Sequence, residues 1–271
     1  DIVSFSAAYG CWLKSINSSN IVVVGRDARI SGPLVQTLVQ QTLIALGIDV
    51  IDVGLSTTPT VEMEVLRKEA QGGIVVTASH NPKNWNALKL LNNKGEFISA
   101  SDGENLMKFA NDKSFDFTNV DNIGNIKKSE DAIDAHIKAI LGLKEVNVAA
   151  IKAANFSVVV DGVNSTGGIA VPALLSKLGV KTTELYCNPN GNFPHNPEPL
   201  KENLGDLSDK VISIKANLGI AVDPDVDRLV FVDEEGELFG EEYTLVACAD
   251  YILQNSKGAV VSNLSSSRAL A

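Results

Sequence analysis

Three features predict an α/β fold of two tandem, duplicated α/β/α domains with mixed, mostly parallel sheets, followed by the start of a third. Short β-branched runs alternate with longer amphipathic ones, as strands and helices do in this architecture. The order of elements in the first half returns in the second. "TLIALGIDVIDVG" and "ALLSKLGVKTTELY" both read as helix, Leu-Gly, then branched strand. "GGIVVTASHNP" and "LGIAVDPDVDR" are both apolar strands that break into a polar loop. In open α/β sheets ligands bind beyond the carboxyl ends of strands, so those two loops are where chemistry is expected.

Residues 20–25 (NIVVVG) read as the first strand. Ser31-Gly32-Pro33 opens a helix, with Ser31 as its N-cap, that closes at Gly47. A strand at 48–54, a helix from about Pro59 to Ala70 and a strand at 72–76 follow. Strands are predicted again at 156–162, 180–186 and 218–222, with helices across 165–179 and near 201–216. A helix near 144–154 links the halves. The first domain is therefore placed at residues 1–143 and the second at 144–256. Residues 257–271, where "GAVVSNLSSSRAL" has a strand-then-serine opening, are the start of a truncated third.

The 271 residues are 45% hydrophobic and 21% charged, ordinary for a globular protein with real cores. A formal charge of −10 repels nucleic acid and anionic membrane surfaces, and excludes both as main partners. A small phosphorylated ligand needs only local cations and a metal. Cys11, Cys187 and Cys248 are scattered, which suggests reduced thiols rather than a disulfide framework or a thiolate zinc site. No signal peptide is visible, and no apolar run reaches the roughly 18 to 20 residues of a membrane span. A cytoplasmic location is expected. The chain starts at Asp1 without methionine and stops at Ala271 as a helix opens, which is the expectation for a fragment.

Asp223-Pro224-Asp225-Val226-Asp227-Arg228 carries three carboxylates at alternate positions after an apolar strand. Packed together they repel, and a hard divalent ion such as Mg²⁺ with its preference for oxygen resolves the conflict. An EF-hand would place Glu234 twelfth, but Arg228 stands where that loop requires glycine, and a strand follows. A haloacid-dehalogenase-type phosphatase remains an alternative, although Asp227 departs from its pattern.

Ser79-His80-Asn81-Pro82 ends the other strand, and Lys89 follows ten residues after the serine. No GxSxG elbow exists, and a histidine adjacent in sequence seldom serves as its neighbour's base. His80, His136 and His195 leave few ways to build a Ser-His-Asp triad. A simple polar turn, with Ser79 and Asn81 bonding local backbone, is the competing reading. Arg26, Arg29, Lys89 and Arg228 all lie near strand ends and together look like an anion site. The Gly-rich turn at 161–168 matches neither a P-loop nor GxGxxG and is read as tight packing. His195, in the Pro-stiffened loop 187–199, is read as structural.

GRDAR, TASHNP with Lys89, PNGNFPHNPEP and DPDVDR, in this order, resemble the α-D-phosphohexomutases. That family includes phosphoglucomutase, phosphomannomutase and phosphoglucosamine mutase, and the likeness covers essentially the whole chain. The resemblance implies phosphoryl transfer between the 1- and 6-positions of a hexose phosphate through a phosphoserine, with a hexose 1,6-bisphosphate as intermediate and activator. It makes Ser79 the phosphoserine and Asp223, Asp225 and Asp227 the Mg²⁺ ligands, with an oxygen of the Ser79 phosphate as the fourth. Lys89 becomes a general acid/base, Arg228 a holder of the phosphoserine site, and His80, Arg26 and Arg29 phosphate or substrate contacts.

The family has four domains, of which this chain resembles the first two. Missing C-terminal domains would complete the site for a phosphosugar, and the 271-residue chain alone is expected to be nearly inactive. The family's N-terminal arginine motif is not found. Pro224 and Val226 replace the glycines of the usual DGDGDR loop, and Asn86-Ala87 replaces the usual Asn-Gly. A Mg²⁺-dependent phosphohydrolase and a non-catalytic sugar-phosphate or metal-binding protein are the alternatives. The substrate is not chosen among glucose, mannose and glucosamine phosphates.

Overall fold

A computed structural model describes residues 1–16, 20–262 and 268–270. The chain divides into two compact units, Asp1–His136 with Asn190–Asn192, and Ile137–Pro189 with Phe193–Ala271. The break falls after His136, against 143 in the sequence expectation.

The first unit contains α1 (Ile2–Ile16), β1 (Ile21–Arg26), α2 (Gly32–Ala45), β2 (Asp49–Leu55), α3 (Thr58–Arg67), β3 (Gly72–Val76), β4 (Leu88–Leu91), α4 (Ala100–Asp112), β5 (Ile126–Lys128) and the start of α5 (Ala132–Leu141). Its sheet runs β4-β3-β1-β2-β5, parallel except for β4, which pairs antiparallel with β3. Strands covered on both faces read as continuous apolar runs, which is why β1 is Ile-Val-Val-Val. Val22 and Val24 face a core with Trp12, Leu13, Leu43 and Leu106, on α1, α2 and α4. Val23 points the other way, into a core with Val61 and Val65 of α3.

The second unit holds α6 (Val148–Ala154), β6 (Ser157–Asp161), α7 (Gly167–Lys177), β7 (Lys181–Leu185), α8 (Gly205–Ile214), β8 (Leu218–Val222), β9 (Leu229–Val232), β10 (Leu238–Phe239) and α9 (Glu241–Asn255). Its sheet order is β10-β9-β8-β6-β7, with β9 antiparallel to β8 and β6 parallel to both β7 and β8. The order β9-β8-β6-β7 reproduces β4-β3-β1-β2 strand for strand, as duplication predicts. In both units a central parallel strand turns through a polar loop into an antiparallel neighbour. Those loops are the serine loop (β3 to β4) and the aspartate loop (β8 to β9).

Several local expectations are corrected. Ser31 makes no capping bond; its backbone is already helical, and Ser31 Oγ instead accepts a hydrogen bond from Asn86 Nδ2 at 2.9 Å. A side-chain cap does form at the head of α3, where Thr57 Oγ1 accepts from Thr60 N–H. The helix expected near 201–216 is a 3₁₀ turn at Lys201–Asn203 followed by α8. Residues 258–262 are irregular, with Val261 92% exposed, so the strand expected to open a third copy is not formed there. Among the described residues no strand pairs with it, and a lone strand leaves its backbone groups without a ladder. The serine run that follows, at 265–267, lies outside the described residues.

Candidate active site

The serine loop is built around a buried arginine. Arg29, from the GRDAR loop after β1, is 0% exposed, and so is Asp27, whose Oδ2 accepts from Arg29 Nε at 2.9 Å. Its other four N–H groups are spent on the serine loop. One terminal nitrogen donates to the carbonyls of Pro82 and Trp85, the other to those of Ser79 and Asn81. The loop is thus wrapped around a guanidinium whose fork of five donors is matched by acceptors. This corrects the reading of Arg29 as a phosphate contact: it has neither exposure nor an N–H left for a ligand.

Ser79 is half-buried and has φ of +49°, in the left-handed region that side chains other than glycine seldom enter. His80 beside it is also half-buried. Arg26 Nε donates to Gln36 Oε1 and its Nη1 to the Asp27 carbonyl, both at 3.0 Å. Burial lowers the pKa of Arg26, opposed by the charges of Asp27 and Asp52. Lys89 lies on β4, opposite Val75 of β3, with its ammonium 5.7 Å from the ring centre of Phe97.

The aspartate loop brings its three carboxylates together. Ligand oxygens of Asp223, Asp225 and Asp227 lie within 4.8 Å of one another; the first two residues are buried and Asp227 is exposed. Asp223 Oδ1 also accepts from the N–H groups of Asp227 and Arg228, each at 3.1 Å, which folds the loop back on its first residue. Val226 has φ of +61°, an outlier for a β-branched side chain. Arg228 contacts Glu198 at 3.3 Å. Three close oxygen donors, two of them buried, fit a hard divalent cation such as Mg²⁺.

Two residues that hold this loop escaped the sequence reading. The hydroxyls of Ser165 and Thr166, both fully buried, donate to the Pro224 carbonyl at 2.7 and 2.8 Å. They sit in the Gly-rich turn before α7, where Val163 and Asn164 both have positive φ. The only signal was a pair of hydroxyls in a turn with no phosphate-binding pattern. Asp161, at the end of β6, accepts from Val163 N–H and pairs with His195 Nε2 at 3.0 Å. That contact ties the long Pro-stiffened loop to the end of β6.

That pair has a pH consequence. Burial acts to lower the His195 pKa, but the hydrogen bond and charge of Asp161, with the Asn196 carbonyl and Asp206, outweigh it and raise it above 6.5. A group whose folded pKa is raised contributes stability that is complete below the unfolded value and lost as pH rises through the folded one. The stability advantage of the protein over His195→Gln should therefore be greatest below about pH 6.5 and fall as pH rises. His136, whose pKa burial lowers, acts with the opposite sign. Urea unfolding of the two proteins across pH, taken as a difference, isolates His195; a constant difference would disprove the pairing.

Residues 2–117 match the family described as phosphoglucomutase/phosphomannomutase, alpha/beta/alpha domain I, and residues 134–236 match its alpha/beta/alpha domain II. The chain belongs to the phosphoglucomutase/phosphomannomutase family. It is 37% identical over 266 residues to a phosphoglucomutase/phosphomannomutase of Thermococcus kodakarensis, covering 97% of this chain and 58% of that one. It is 33% identical to a Methanopyrus kandleri protein named "Probable phosphoglucosamine mutase", covering 91% of this chain and 54% of that one. Among solved structures, a phosphoglucomutase/phosphomannomutase family protein of Burkholderia thailandensis superimposes with a TM-score of 0.82 at 29% identity. That match covers 93% of this chain and 55% of the other. The chain thus spans about half the length of the curated relatives it matches. No described helix is long and apolar enough to cross a membrane.

Proposed function

We propose that the protein is a phosphohexomutase, an isomerase that moves a phosphoryl group between the 1- and 6-positions of a hexose phosphate through Ser79 and a hexose 1,6-bisphosphate. The observation that carries this reading is the pair of loops at equivalent strand ends of a duplicated fold. One presents a serine in a tightly held left-handed conformation, the other three carboxylates within 4.8 Å. Family membership supports the reading, and the names of the relatives point to glucose, mannose and glucosamine phosphates as the substrates to test.

Ser79 Oγ carries the phosphoryl group. A sugar hydroxyl forms a bond to phosphorus as the bond from phosphorus to Ser79 Oγ breaks, and Lys89 accepts the hydroxyl proton and passes it on to the departing Ser79 Oγ. The bisphosphate then turns over and returns its other phosphoryl group to Ser79, so the net reaction is an isomerisation. Asp223, Asp225 and Asp227 would hold Mg²⁺, which when bound supplies charge neutralisation for the phosphoryl oxygens. His80, Arg26 and Arg228 are the proposed phosphate and substrate contacts.

Intact-mass measurement of the full-length protein should find one phosphate, absent from Ser79→Ala. That variant should lose turnover by about a thousandfold or more. A wild type that never carries phosphate, with Ser79→Ala at normal turnover, overturns the reading. Phosphate released without any need for a bisphosphate activator would instead identify a phosphohydrolase.

A further inference from the structure

Ser79 is clamped at both of its peptide groups by one closed ring of hydrogen bonds. Its N–H donates to Thr77 Oγ1 at 2.9 Å. Thr77 Oγ1 donates to Asp27 Oδ2 at 2.8 Å, and Arg29 Nε donates to the same oxygen at 2.9 Å. Arg29 Nη2 closes the ring on the carbonyl of Ser79. Thr77, Asp27 and Arg29 are each 0% exposed.

The direction of every bond in the ring is forced. A carboxylate can only accept, so the Thr77 hydroxyl must give its proton to Asp27, and its lone pair is what remains for the Ser79 N–H. A guanidinium can only donate, so Arg29 must face both the carboxylate and the carbonyl. The ring therefore has a single arrangement of protons.

Its mechanical effect follows from covalent geometry. φ and ψ are the only soft backbone torsions of Ser79, and fixing the peptide planes on either side fixes both. With them goes the direction of the Cα–Cβ bond that carries Oγ. A left-handed serine costs about 1–2 kcal/mol, so without the ring the residue would relax to negative φ and swing its side chain away.

We propose that Thr77, Asp27 and Arg29 are positioning residues for phosphoryl transfer, with the Thr77 hydroxyl as the link that aims Ser79 Oγ. This inference rests on the reading of Ser79 as the phosphoryl carrier. A serine that must both donate and receive the group needs the same aim in each half of the reaction. A loss of aim lowers the rate of the chemical step and leaves sugar binding alone.

Kinetics of the full-length enzyme with Thr77→Val and Thr77→Ser test this. Valine keeps the shape and removes the acceptor; serine keeps the hydroxyl. Thr77→Val should lower kcat by about a hundredfold with KM within about twofold, the effect of misplacing a reacting group by about 1 Å. Thr77→Ser should recover kcat to within a few-fold of wild type, a rescue that a loss of general packing would not produce.

A folded Thr77→Val with wild-type kcat, or a Thr77→Ser as slow as Thr77→Val, overturns the inference. If Thr77→Val does not fold, amide hydrogen exchange of the wild type decides: the Ser79 N–H must be protected, and exchange at an unprotected rate overturns the ring. Intact mass keeps the two ideas apart. A wild type that never carries phosphate, with Ser79→Ala at normal turnover, overturns the phosphoserine reading and this inference with it, whereas a phosphorylated wild type with a fast Thr77→Val overturns this inference alone.

Discussion

Arg29→Lys is expected to destabilise the first unit by roughly 3–5 kcal/mol, because several buried acceptors lose their donor at once. Lysine keeps the charge, so a small effect would be expected if Arg29 acted as a surface cation. It is 0% exposed, however, and its guanidinium serves Asp27 together with four carbonyls from Ser79, Asn81, Pro82 and Trp85. A lysine ammonium has three donors on a flexible stem and cannot match a planar fork of five. Asp27 and several carbonyls would be left buried and poorly paired, each costing on the order of 1–3 kcal/mol, partly relieved by water entering the loop. Trp12 and Trp85 both lie in the first unit, so their fluorescence during urea unfolding reports on that unit by itself. A loss below about 1 kcal/mol would show that the loop does not depend on the guanidinium. The double variant Asp27→Leu/Arg29→Met should be less destabilised than Arg29→Met alone, because it leaves no unpaired buried carboxylate.

Arg29 also shows where the sequence stops being legible. An arginine just after a strand in GRDAR has the chemistry of an anion contact, and only its packing against a loop some fifty residues later shows otherwise. Ser31 failed for a related reason: Asn86, distant in sequence, competes for its hydroxyl. The legible parts were those with strong local patterns. Short apolar runs buried on both faces located β1, β3, β6 and β8, and alternate aspartates located the carboxylate cluster. The equivalence of the two polar loops, seen first as repeated wording, reappears as the same order of four strands in each sheet. Helix α4 was missed because Gly103 and a polar face dilute its periodicity, although its Ser99–Asp102 capping box was there to be read. Strand β4 is four residues long, too short for alternation to register. Positive φ at Ser79, Val163 and Val226 was beyond reach, because none of these residues advertises a left-handed backbone as glycine does. At Ser79 it is held by a bond to its carbonyl from Arg29, fifty residues earlier.

Asp225→Asn is expected to separate metal binding from folding by reversing which protein is the more stable. In wild-type protein treated with chelator, three carboxylates within 4.8 Å, two of them buried, repel one another in a medium less polar than water. Removing one charge should raise the chelated protein's stability by about 1 kcal/mol, provided the asparagine takes up the loop's hydrogen bonds. Mg²⁺ changes the order. A ligand that binds only the folded state stabilises by about 2.7 kcal/mol at a hundred times its dissociation constant. Wild type should gain that amount and Asp225→Asn very little, because the substitution removes one of three charged donors to a hard cation. Thermal unfolding of the second unit, with chelator and with excess Mg²⁺, reads both effects on the same samples. Equal gains in the two proteins would place the metal elsewhere, and no gain in either would leave the acidic cluster as a solvated turn. Ser165→Ala provides the structural control. It removes one of the two hydroxyls that pin the Pro224 carbonyl without touching a carboxylate. It should lower stability by about 1 kcal/mol with or without metal. A cost that appears only when Mg²⁺ is present would mean that the hydroxyl shapes the loop for the ion rather than for the fold.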